Sequence, residues 1–198
     1  AQKESINEAF VNGRENNSKS ILRIIDSSYL SVMQLKRNGA YNPVNFLNID
    51  RERAVVENDK FTSLIIGFGE TGLDALKFLY EFGALPVYNC ENKVVKCGFH
   101  CCAIDENMDK IRPQFYKDYP ALLGEKRKDE VKLVTAKVGS EDYWKEIEAL
   151  VAAGLKYVIV ALGDDELCMS VTKNLYNYVS RMRGNEFGTF KIFMRVHR

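Results

Sequence analysis

Three glycines carry the most specific chemical signal in the chain. Gly67, Gly69 and Gly72 stand in the string Gly67-Phe68-Gly69-Glu70-Thr71-Gly72, directly behind the apolar run Leu64-Ile65-Ile66. A glycine at 67 permits a tight turn from a strand into a helix. At 69, the missing side chain lets backbone N–H groups and the positive end of the helix dipole approach a pyrophosphate. Gly72 lets the helix lie close on the sheet. Glycine turns also serve packing alone, so the context decides. Here a strand pattern precedes the turn, and a helix with Ala75, Leu76, Leu79 and Phe82 on one face follows it.

A dinucleotide site also needs an acid at the end of the second strand, to accept hydrogen bonds from ribose hydroxyls. Asp105, closing the run Phe99-His100-Cys101-Cys102-Ala103-Ile104 and followed by Glu106, has that place. It lies further from the glycines than the usual spacing, and the stretch Pro86 to Gly98 accounts for the excess as an inserted hairpin or strand extension. A carboxylate there repels a 2′-phosphate, which favours NAD(H) over NADP(H). The competing reading is a solvated Asp that caps the next helix. Two further turns end strand-like runs: Gly139-Ser140-Glu141-Asp142, and Leu162-Gly163-Asp164-Asp165-Glu166. Gly139, Ser140, Leu162 and Gly163 are candidate ligand contacts, because an open α/β sheet binds outside the carboxyl ends of its strands. Ser140, Asp164 or Asp165 can equally cap helices, and capping is the reading preferred for Asp165 and Glu166.

Other reactive types are less promising. The five cysteines, Cys90, Cys97, Cys101, Cys102 and Cys168, include no C-x-x-C pair, and adjacent Cys101 and Cys102 would point to opposite faces of a strand. Buried apolar roles are expected rather than metal or a disulfide framework. A dehydrogenase needs a general acid or base against the nicotinamide. Of the two histidines, His100 lies inside a strand pattern and His197 in the terminal tail, and no Tyr-x-x-x-Lys pattern presents itself. Catalysis is the minority expectation, as an NAD-dependent oxidoreductase or an S-adenosylmethionine-dependent methyltransferase.

The elements that must position these residues alternate. Strands are expected at Ser63 to Ile66, Phe99 to Ile104, Leu133 to Val138, Tyr157 to Leu162 and Phe190 to Val196. Helices are expected at Glu70 to Phe82, after Asp105, at Tyr143 to Ala153 and from Asp165 to about Arg181. That succession predicts an α/β fold: a Rossmann-like doubly wound parallel sheet, order 3-2-1-4-5, over residues 61–198. Asn107 to Glu130 should hold a short helix and a solvated loop. Residues 1–20 read as a flexible arm, and 21–60 as a junction: a strand at Ile21 to Ile25, caps at Asp26-Ser27-Ser28, a helix from Tyr29 to Arg37, and an extended or hairpin segment from Val44 to Val56.

With 28 basic and 27 acidic residues spread along the chain, no electrostatic footprint for nucleic acid is present. No apolar run has the length of a membrane span, and the N-terminus lacks a signal-peptide layout, so a cytoplasmic chain is expected. Starting at Ala1 and stopping behind a strand pattern, it reads as a piece of something longer.

Four segments together resemble the TrkA-N, or RCK, type of domain, the cytosolic nucleotide-binding domains of potassium channels and uptake systems. They are Leu64 to Gly72, Ala103-Ile104-Asp105-Glu106, Val138 to Asp142 and Tyr157 to Glu166. The resemblance covers Phe61 to Arg198. It implies NAD(H) or an adenine nucleotide such as ADP or ATP, with Gly67, Gly69 and Gly72 at the phosphates and Asp105 at the ribose. It also implies assembly as homo-oligomers, with ligand state passed to a membrane transport partner or to adjacent domains of the same chain. Ile21 to Pro43 resembles the junction between tandem domains of this family. Two departures stand out: Ser140 where the family commonly has Asp, and Cys168 where it commonly has Asn.

Overall fold

A strand whose every residue is apolar or small is suited to the centre of a sheet covered on both faces. Phe61-Thr62-Ser63-Leu64-Ile65-Ile66 is such a strand, and all six residues are buried. The computed structural model describes residues 27–50, 52–53, 55–57, 59–88, 94–123, 130–183 and 190–196. Numbered along the chain, the strands are β1 (Ile49–Asp50), β2 (Val55–Glu57), β3 (Phe61–Ile66), β4 (Pro86–Tyr88), β5 (Val94–Cys97), β6 (Phe99–Asp105), β7 (Val131–Thr135), β8 (Tyr157–Val160) and β9 (Lys191–Met194). The helices are α1 (Ser27–Arg37), α2 (Glu70–Gly83), α3 (Met108–Asp118), α4 (Glu141–Ala152) and α5 (Asp165–Arg183).

The main sheet is parallel throughout, in the order β7-β6-β3-β8-β9. Parallel neighbours require crossovers, and helices supply them on both faces, an arrangement consistent with a Rossmann-like fold. Side chains alternate along each strand, so each strand feeds two cores. Leu64, Ile66, Cys102 and Ile104 pack with Tyr143, Ile147 and Leu150 of α4 and Cys168, Val171 and Leu175 of α5. Phe61, Ile65, Cys101 and Ala103 pack with Ala75, Leu76 and Leu79 of α2, Met108 and Phe115 of α3, and Val32 of α1. Each fully buried aliphatic of this kind contributes about 1.5–3 kcal/mol. Cys101 and Cys102 therefore face opposite cores as small apolar residues, and burial pushes the Cys101 thiol up to about 12 and raises Cys102 as well.

A second, smaller sheet has the order β1-β2-β4-β5. β1 and β2 form a short antiparallel hairpin, β2 pairs in parallel with β4, and β4 pairs antiparallel with β5. The inserted hairpin between α2 and β6 is thus joined to the segment before β3. Lys156 ties this unit to the base of the main sheet: its Nζ lies 2.5 Å from both Asp59 carboxylate oxygens and donates to Phe46 O at 2.9 Å.

Several sequence expectations need correction at their edges. The third, fourth and fifth main-sheet strands end at Thr135, Val160 and Met194, so Ala136 to Val138, Ala161-Leu162 and Arg195-Val196 are loop. Pairing with the neighbouring strand stops where the loops turn towards the next helix. Ser27 and Ser28 lie inside α1 rather than before it. Pro43–Phe46 is a 3-10 turn, started by a proline whose fixed φ suits a first turn, so the extended stretch begins later than Val44. The region after Asp105 is more helical than expected: α3 runs for 11 residues with Pro113 inside it, and a 3-10 turn follows at Pro120–Leu123. The arm at 1–20, the strand at Ile21 to Ile25, Asp26, Cys90 and His197 lie outside the described residues.

Candidate functional site

All five parallel strands point their carboxyl ends at one edge, and a cleft of about 780 Å³ opens there. That volume lies within the range of sites for nucleotide-sized molecules. Its floor is the glycine turn between β3 and α2. Gly67 has φ +87, which only glycine adopts readily, and a Cβ there would stand 2.5 Å from Ala161 O. A Cβ on Gly72 would stand 2.2 Å from Gly67 O, so this glycine lets α2 press onto the turn. Gly69 differs from both. Its φ is −72, open to any residue, and a Cβ built on it meets nothing within 4 Å. Packing explains Gly67 and Gly72 but leaves Gly69 unexplained; its missing side chain keeps clear a space belonging to the cleft.

The helix ends around the cleft sharpen this contrast. α4 is capped by the Ser140 hydroxyl, which accepts from Tyr143 N–H at 3.3 Å. α5 is capped by Asp164, whose Oδ1 accepts from Leu167 N–H at 2.7 Å. No side chain caps α2, whose N-cap is Gly69, or α3, whose N-cap is Asn107. The first-turn N–H groups of a helix need acceptors, and a bound anion is one source of them.

Asp105 does two structural jobs at once. Its Oδ2 accepts from Phe68 N–H at 2.8 Å, and its Oδ1 accepts from Asn107 N–H at 2.7 Å. The second bond makes a local turn ahead of α3, whose N-cap is Asn107 rather than Asp105. The first spans 37 positions and straps the end of β6 to the glycine turn. Each oxygen accepts one bond here, and a carboxylate has further acceptor capacity for a ribose hydroxyl.

The structure brings Gly67, Gly69, Glu70, Thr71, Asp105, Glu106, Leu162 and Gly163 onto the cleft wall. It does not bring all the candidates there. Phe68 turns its ring into the core against Phe115, 5.6 Å between centroids, and only its backbone serves the turn. Gly72 lies beneath the turn. After β7 the cleft is lined by Ala136, Lys137 and Val138 rather than by Gly139 and Ser140: Gly139 has φ +83 and shapes the turn, and Ser140 caps α4. The cap of α5 is Asp164, while Asp165 and Glu166 occupy its first turn. Cys168 is buried, and its Sγ lies 3.5 Å from Leu162 O, so its thiol ties the loop after β8 to α5. His100 sits near the opposite end of β6, about 16 Å of strand away from Asp105.

Sequence reasoning missed Arg195, Lys137 and Ser28, all of which line the cleft. Arg195 follows β9 directly, and its Nη1 donates to Thr71 Oγ1 at 2.5 Å, in the first turn of α2. Its signal was available, since the residue after a parallel strand belongs to the same edge as the other loops. Ser28 had no such signal, because only the packing of α1 on α2 brings it there. Comparison of the chain with protein-family models, with curated proteins and with solved structures returned no match.

Proposed function

We propose that the cleft binds an adenine nucleotide, NAD(H) in the first place and ADP or ATP otherwise, and that the chain is a non-catalytic regulatory domain responding to it. Gly69 is the observation that carries this reading. It is the one glycine of the turn that neither backbone conformation nor a neighbouring atom demands, and it faces the cleft at an uncapped helix end. A phosphate group would use both properties, accepting from N–H groups that no side chain serves. Numbered within the main sheet, the strand order reads 3-2-1-4-5, which supports a doubly wound Rossmann-like site at the point where β6 and β8 diverge on either side of β3. Asp105, already placed beside the turn, would take the ribose of NAD(H) and disfavour a 2′-phosphate.

The resemblance to TrkA-N domains extends this proposal to a homo-oligomer that passes nucleotide state to a membrane transport protein or to adjacent domains. Among the described residues no helix is long and apolar enough to cross a membrane, so a membrane partner would be another protein or another part of the chain.

Thermal unfolding with and without nucleotide tests the reading. At a hundredfold excess over Kd, a ligand adds about 2.7 kcal/mol, which for a chain of this size raises Tm by roughly 5–10 °C. No shift with NAD(H), ADP or ATP at millimolar concentration would overturn it. A nucleotide consumed in a broad substrate screen would favour an oxidoreductase or a methyltransferase instead.

A further inference from the structure

Arg195 is the cation best placed to meet a ligand in the cleft, and its surroundings leave its charge free. The side chain is half-buried, and its one described side-chain partner is the neutral hydroxyl of Thr71, itself buried. Among the described residues Arg195 forms no ion pair, although Glu70, Asp105, Glu106 and Asp164 all line the same cleft. A guanidinium has five N–H donors, and one is spent on Thr71. The other cleft-lining cation, Lys137, is exposed and follows β7 at the far side of the sheet.

The topology gives the guanidinium a defined position along a bound nucleotide. Asp105 flanks the glycine turn from β6, on one side of β3. Arg195 reaches the same turn from β9, across β8, on the other side. A nucleotide with its ribose at Asp105 and its first phosphate over Gly69 continues towards Arg195. What it meets there is a fork-shaped donor suited to phosphate oxygens. S-adenosylmethionine has a positive sulfonium where a nucleotide has its first phosphate, and beyond it a single amino-acid carboxylate in place of a second phosphate, a poorer match to the guanidinium fork.

Resting on the nucleotide reading above, we infer that Arg195, held at the head of α2 by the Thr71 hydroxyl, binds the second phosphate and restricts the cleft to nucleotides with two or more linked phosphates. Calorimetric titration of the whole chain at low salt with ADP, AMP and S-adenosylmethionine tests this. The wild type should bind ADP at least tenfold more tightly than either AMP or S-adenosylmethionine. Arg195→Gln should weaken ADP at least tenfold and leave AMP within threefold. Arg195→Lys should recover part of the ADP affinity. Thr71→Val, which keeps the side-chain shape, should lower ADP affinity by a smaller factor, again without changing AMP. If Arg195→Gln binds both nucleotides with the wild-type preference intact, the assignment of Arg195 is wrong while the nucleotide reading stands. A wild type that binds neither of these nor, in the same titration, NADH or ATP overturns both.

Discussion

The two ends of the main sheet are made by the same strands and solved differently. At the amino end, Phe61, Phe99 and Tyr157 open β3, β6 and β8, and their rings meet at centroid distances of 6.0 and 6.1 Å. Phe46 adds an edge contact to Tyr157, and Tyr157 donates its hydroxyl to Tyr41 O at 2.9 Å. Two glycines there fill tight space: a Cβ on Gly83 would strike the Phe61 ring at 2.7 Å, and one on Gly98 would strike Val87 at 2.4 Å. The carboxyl end has no such seal. Its loops stand apart around a cleft, and Gly69 and Gly163 have nothing within 4 Å of where a Cβ would be. Gly67, Gly72, Gly83 and Gly98 are demanded by their neighbours, whereas Gly69 and Gly163 on the cleft wall are demanded by none.

Substitutions can break this contrast, and the largest expected effect is at a packing glycine. Gly72→Val drives a side chain into the Gly67 carbonyl, a backbone atom that cannot swing away. We expect a loss of about 3 kcal/mol or more in chemical denaturation. A loss below about 1 kcal/mol would mean that α2 does not need this close approach.

Next comes the seal at the amino end. Desolvation alone would raise the Asp59 carboxyl, but the bond to Lys156, the N–H groups of Asn48 and Lys60 and the Lys156 charge outweigh it, so its pKa lies below the ordinary value of 3.8. A depressed acid stabilises the fold fully above its unfolded pKa and loses that contribution as pH falls through its folded value. Asp59→Asn should therefore cost about 2 kcal/mol at neutral pH. Below the folded value of Asp59 the variant and wild type should converge, and at neutral pH nucleotide affinity should be unchanged. Equal stability at neutral pH would remove the pair from the account.

Asp105→Ala lies between the two ends in meaning. It leaves Phe68 N–H and Asn107 N–H without their acceptor, which should cost about 1–3 kcal/mol as well as weaken nucleotide binding. Lost binding in this variant alone does not separate a ribose contact from a loosened turn. A variant with unchanged stability would show that the strap from β6 is not needed.

Much of the carboxyl end was legible in the sequence. Uninterrupted apolar runs such as Leu64-Ile65-Ile66 and Tyr157-Val158-Ile159-Val160 mark buried parallel strands, and the turn residues behind them mark the edge where ligands sit. Strand ends were read too long because Val138 and Leu162 are apolar like the strands before them, and hydrophobicity does not record where hydrogen bonding stops. The division of labour among the glycines was not legible either. Gly67, Gly69 and Gly72 are identical letters, and only the positions of Ala161 O and Gly67 O distinguish them. Arg195 was hidden for a related reason: its partner Thr71 is 124 positions away. Pairing of β2 with β4 is likewise a tertiary fact, since strands of three residues carry little pattern of their own.

The smallest effect on stability and the largest on binding are expected from one residue, which makes it the most direct test. Gly69→Val keeps an allowed backbone and its Cβ meets no atom of the protein within 4 Å, so its stability should fall by no more than about 1 kcal/mol, the ordinary penalty at an N-cap. In a calorimetric titration with NADH, the wild type should bind and this folded variant should bind at least tenfold more weakly. Equal affinity in the two proteins would contradict the placing of a phosphate over Gly69, and no binding by the wild type would contradict NAD(H) as the ligand of the cleft.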